Sequence, residues 1–149
     1  MIPTRPAVNL RRYGWFVAAS VVELALYASY QGEDGRFHWF THFFVGTAFV
    51  LVAMAVVATA TRRPVRLPFV WLLLGHLVAM APDLAFVEGV AHGRWMDVFL
   101  GHVSSHYIPG RNWTWYAVFL VALGSYLVVL DSLRRSVREA DARPRGLRP

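Results

Sequence analysis

The chain has 149 residues, 56% of them hydrophobic and 16% charged, with no cysteine, six histidines and a formal net charge of +6 carried entirely by arginine. An ordinary soluble domain has about a quarter charged residues; the shortage here leaves four long apolar stretches, which exclude a soluble enzyme, a disulfide-stapled secreted domain and a disordered chain. The missing cysteine also excludes thiolate metal sites, thiol nucleophiles and redox switching.

A helix rises about 1.5 Å per residue, so about 20 apolar residues cross the ~30 Å hydrocarbon core of a membrane. The first such stretch is predicted over 13–30, behind Arg5, Arg11 and Arg12. A basic start before an apolar run resembles a signal peptide. However, Glu23 interrupts the run and no small-x-small cleavage site follows, so a retained span is expected. Within it Ser20, Glu23, Tyr27 and Tyr30 form a polar stripe at three- and four-residue steps, which turns Glu23 toward other helices. The second span is predicted over 40–60. His38 and His42, four residues apart, share a face near its start.

The third span, 68–87, carries His76 and Asp83 almost two turns apart on one stripe. Pro82 removes a backbone N–H beside Asp83, and a kink is expected there. A connection over 88–112 then holds His92, Arg94, Asp97, His102, His106 and Arg111 before a fourth span over 113–130. The arginine-rich residues 132–149 are read as a disordered tail.

Arginine placement orients these spans. Twelve arginines fall at the two termini and in the connection at 62–66, against Arg36, Arg94 and Arg111 on the other side. The expectation is an all-α, multi-pass protein of the cell membrane. Residues 1–131 would form one four-helix transmembrane bundle, with both termini and the 132–149 tail cytoplasmic. Trp39, Trp95, Trp113, Trp115 and Tyr116 would make an aromatic belt at the outer boundary. The net charge then serves orientation, and the expected partner is the lipid bilayer rather than nucleic acid.

Counted from the outer helix ends, His42 and Asp83 each lie about one turn inside, with Glu23 and His76 deeper, about 10 and 15 Å. Every histidine therefore falls in the outer half or on the outer surface. Ionisable groups inside spans usually face a protein interior or a water-filled cavity. Neutral imidazole and carboxylate are zinc ligands, and three protein ligands with one open position make a catalytic site. Two H-x-x-x-H pairs and an intramembrane aspartate supply such a set in several ways. Each group also has an ordinary structural role open to it: an interfacial histidine, a helix cap, or a protonated core glutamate.

The motifs resemble those of a known family. Thr41-His42-Phe43-Phe44-Val45-Gly46 is similar to the early T-H-x-x-x-G motif of the YdjM-like membrane-bound metal-dependent hydrolases. Leu74-Gly75 through Ala81-Pro82-Asp83-Leu84 resembles the L-G-x-x-x-P-D-x-D-H segment, with Ala85 and Phe86 in place of its second Asp and its His. His92-Gly93-Arg94-Trp95-Met96-Asp97 resembles the H-R-G-x-T-H signature, with Gly and Arg transposed and Asp97 at the last His. Gly101-His102 through His106, then Pro109-Gly110, is similar to the later H-x-x-x-D followed by Pro and Gly. The resemblance covers about 40–110. It implies a small helical membrane protein that binds a metal through His42, Asp83 and His102, with His92, Asp97 and His106 as further members.

The first functional expectation is a membrane-embedded, outward-facing metal-dependent hydrolase acting on a lipid or lipid-linked substrate. His42, Asp83, His102 and His106 would hold a zinc-like divalent ion, with Glu23 or Asp97 as general base. His38, His76 and His92 would orient ligands or contact substrate, while Arg94 and Arg111 would hold a phosphate. A second expectation is a b-type haem electron carrier, with His42 or His38 opposite His76 or His102. A third is a non-enzymatic accessory or lipid-binding subunit, since Thr41, Ser104 and Ser105 are the only nearby hydroxyls and none sits in a nucleophile elbow.

Overall fold

The computed structural model describes residues 10–29, 33–91 and 93–142. It is all-helical there: α1 Leu10–Ser29, α2 Glu33–Thr61, α3 Pro68–Val87, a 3-10 turn Arg94–Val98, α4 His102–Ser105 and α5 Arg111–Ala142. Among the described residues three stretches are long and apolar enough to cross a membrane, Trp39–Thr61, Pro68–Phe86 and Asn112–Ala140, and a shorter apolar one covers Tyr13–Ala28. Their outward faces are apolar as well: Leu24, Val56, Val121 and Val128 are each more than 60% exposed. Water would not tolerate so continuous an apolar exterior, whereas lipid would.

Small and straight-chain residues decide the packing. On α2, Ala48, Leu51, Met54 and Ala58 recur at three- and four-residue steps and are all buried, facing Ala122 and Tyr126 of α5. The opposite side of α2 meets α3, and α1 packs along α3, so the helices lie in the order α1, α3, α2, α5. Where α2 crosses α3, two glycines meet. A Cβ on Gly46 would stand 2.3 Å from the Gly75 carbonyl oxygen, and one on Gly75 would stand 2.6 Å from that of Gly46. Without side chains the two backbones approach directly, as small residues allow between membrane helices. The chain reverses between the two helices through left-handed Arg62 and Leu67, and Pro68 opens α3. One turn before Gly46 on α2 therefore lies level with one to two turns after Gly75 on α3. His42 and the Ala79–Asp83 segment are set side by side by that register.

Two expectations are corrected. The second helix begins ahead of the predicted span at 40–60, at Glu33. Residues 132–142, expected to be disordered, continue α5. Their helical spacing places Arg135 Nε 2.8 Å from Asp131 Oδ2, an i,i+4 pair that an arginine-rich composition conceals. Residues 143–149 lie outside the described set. The connection 88–112, read as an outer loop that could cap the surface or re-enter the membrane, carries a 3-10 turn and α4 over the ends of α2 and α3, burying Met96, His102 and Ser105. Through Pro82, α3 runs on as helix, with the proline ring buried.

Candidate metal centre

The site grows from the register just described. His42, almost wholly buried, places Nε2 2.9 Å from Asp83 Oδ2. The Thr41 hydroxyl next to it donates to the Asn112 side chain, which ties the start of α5 to α2. Past α3, the chain must turn back over the helix ends. It does so through Gly101, whose φ of 70° is a left-handed conformation natural to glycine, and α4 begins at His102. His102 Nε2 then lies 3.2 Å from Asp83 Oδ1, so one carboxylate faces two imidazoles with its two oxygens.

The tautomer of His102 follows from its other nitrogen. Nδ1 is 3.2 Å from the Ala79 carbonyl oxygen, which can only accept, so Nδ1 carries the proton and donates. In the neutral ring Nε2 is then a lone pair directed at a carboxylate. Two acceptors that close require a positive charge between them, either a proton or a metal ion.

The His42 and His102 rings stack at 4.7 Å with 9° between their planes, and His106 stands edge-on to both at 5.5 and 5.4 Å. Among the described residues, His42, His102 and His106 could hold a metal ion: their ligand nitrogens lie within 4.8 Å of one another. Tetrahedral ligands at 2.0–2.1 Å are about 3.4 Å apart. The Asp83–His42 and Asp83–His102 separations are already close to that, and the His106 ligand nitrogen stands within 4.8 Å of those of His42 and His102.

The remaining candidates fall elsewhere. Asp97 accepts from the Ser104 backbone N–H and from the Ser104 hydroxyl, both at 2.8 Å. Those bonds, backbone first, hold its carboxyl below the usual carboxylate range, helped by the nearby Arg94 charge. Asp97 thus fastens the 3-10 turn to α4 and positions His102 and His106. Ser105 Oγ donates to the His102 carbonyl at 2.8 Å and Trp115 Nε1 to the Ser105 carbonyl at 3.3 Å, securing α4 against α5. Glu23 pairs with His76, at 2.7 Å, in a separate centre. Arg94 is exposed beside Asp97. His38 and Arg111 lie in α2 and α5 with side chains outside the described set, as is all of His92.

Several contributors have no chemistry of their own to announce them. Gly46, Gly75 and the Ala79 carbonyl set the geometry, and the glycines could have been noticed one turn from His42 and one residue before His76. Comparison with protein-family models, with curated proteins and with solved structures finds no match to this chain.

Proposed function

We propose that this chain is a membrane-embedded metal-dependent hydrolase of the cell membrane acting on a lipid or lipid-linked substrate, akin to the YdjM-like proteins. In this reading all four long helices span, both termini are cytoplasmic, and the His/Asp centre opens outward. The observation that carries it is the convergence of His42, His102 and His106 with Asp83 between two of them. These residues would hold the ion, and zinc suits the N/O donor set. When bound, such an ion supplies Lewis-acid polarisation of a phosphoryl or carbonyl oxygen and acidifies water. The chain's own part is to present unprotonated His102 Nε2 through the Ala79 bond, and to neutralise and orient through Asp83. Trp95 and Trp113, 57% and 79% exposed at the same end, favour a substrate in the membrane interface. Exposed Arg94 suits an anionic headgroup.

The haem reading needs imidazoles on opposite faces of a porphyrin. His42 and His102 instead stack face to face and point at one carboxylate, which favours a small ion.

The test uses the full chain purified in detergent, loaded with zinc and presented with phosphatidic acid and an isoprenoid diphosphate in mixed micelles. Hydrolysis of one of these that requires the ion and falls at least about 100-fold in His42→Ala and Asp83→Ala is the expected result. A zinc-loaded protein that hydrolyses neither probe, or variants as active as the parent, would favour the accessory-subunit reading instead.

A further inference from the structure

Away from the histidine cluster, α1, α2 and α3 enclose a second set of polar groups in apolar surroundings. His76 is fully buried, with Nδ1 2.7 Å from Glu23 Oε2, while the Glu23 side chain keeps 19% exposure. Trp39 and Phe43 of α2 stand edge-on to the imidazole at 5.2 and 5.4 Å. Tyr27, one turn after Glu23, meets Trp39 edge-on at 5.2 Å and closes that side.

With Glu23 ionised and the imidazole neutral, His76 Nδ1–H donates to Glu23 and Nε2 is left as an acceptor. His76 Nε2 and Trp39 Nε1 are both buried, and neither has a hydrogen-bond partner among the described residues. Buried polar atoms are nearly always paired, and leaving one unpaired is costly. The two here are complementary: indole N–H can only donate, and Nε2 can only accept. A group serving both must accept one hydrogen bond and donate another. An ionised carboxylate or a fully deprotonated phosphate cannot donate, and an ammonium cannot accept. A hydroxyl does both with one atom.

The approach to this centre decides which hydroxyl. Glu23 keeps its partial exposure on the part of α1 where Val22 and Leu24 are 40% and 67% exposed, so in the membrane placement that side faces lipid rather than water. We propose that Glu23, His76 and Trp39 form a second binding centre, which takes the hydroxyl of a lipid-phase alcohol through Trp39 Nε1–H and His76 Nε2. It rests on the membrane placement of these helices and not on the metal centre or on hydrolysis.

The experiment is a titration of the full chain in micelles with 1-dodecanol, read by the Trp39 indole N–H resonance, which Trp39→Phe identifies. Dodecane and methyl dodecyl ether serve as controls. Dodecanol is expected to shift that resonance saturably, the ether more weakly because it cannot donate, and dodecane not at all. Read at the His76 ring nitrogens, Trp39→Phe should weaken dodecanol binding about tenfold while keeping the ring packing. Glu23→Gln should weaken it as well. His42→Ala with Asp83→Ala should leave it unchanged, which separates this centre from the metal site. Equal shifts with dodecane, no saturable shift with dodecanol, or a tightly held water that dodecanol does not displace would overturn the proposal.

Discussion

Two centres in this molecule pair histidine with a carboxylate, and they differ in how many imidazoles the carboxylate meets. Glu23 and His76 form a single pair in which one proton satisfies both partners, leaving a lone acceptor beside an indole donor. At Asp83 the same ingredients are multiplied: one carboxylate faces two imidazoles, and a third stands within reach. There the Ala79 carbonyl fixes the proton of His102 on the far nitrogen. What differs is the number of lone pairs that converge. In the proposed reading the one is met by a hydroxyl, whereas the several suit a cation.

The comparison can be broken by exchanging its carboxylates. Asp83→Asn should weaken divalent-ion binding by about 100-fold, and Glu23→Gln by less than about twofold, as measured by competition with a chromogenic chelator. Equal losses would mean that the centres are not distinct. The register that brings His42 to Asp83 can be attacked next. Gly46→Ala puts a Cβ against backbone 2.3 Å away and should cost about 2 kcal/mol or more in denaturant unfolding, with weakened ion binding. Gly124→Ala meets nothing within 4 Å and should instead be neutral or stabilising by up to about 1 kcal/mol.

Smaller effects are expected at the cap. The folded pKa of Asp97 lies below its ordinary value, so its contribution is full above the unfolded pKa and fades as pH falls through the folded one. Thermal unfolding should therefore separate Asp97→Ala from the parent at neutral pH, and the gap should close below about pH 4. Smallest of all is Arg135→Gln on the exposed end of α5, where loss of the Asp131 pair should change stability by less than about 0.5 kcal/mol.

Depth along each helix was legible in the sequence, because residue counts convert directly to ångströms. Counting places His42 and Asp83 each about one turn inside, and the structure pairs them. Lateral neighbours were less legible. Glu23 had the right depth for several partners, and only the packing of α1 along α3 sets it against His76. The role of Asp97 was hidden because its partner Ser104 lies across a turn, with no periodic spacing to reveal it. The helical end of α5 was obscured for another reason: reading 132–142 by arginine content overlooked the i,i+4 spacing of Asp131 and Arg135.

The central claim is that Asp83, His42, His102 and His106 together form a cation site, and elemental analysis of the purified full chain after exhaustive dialysis tests it most directly. A zinc-like divalent ion is expected to be retained at about one per chain and lost from folded His102→Ala, while Trp39→Phe keeps it. A folded parent protein that neither retains nor takes up a divalent ion, or one whose ion content is unchanged in His102→Ala, would contradict it.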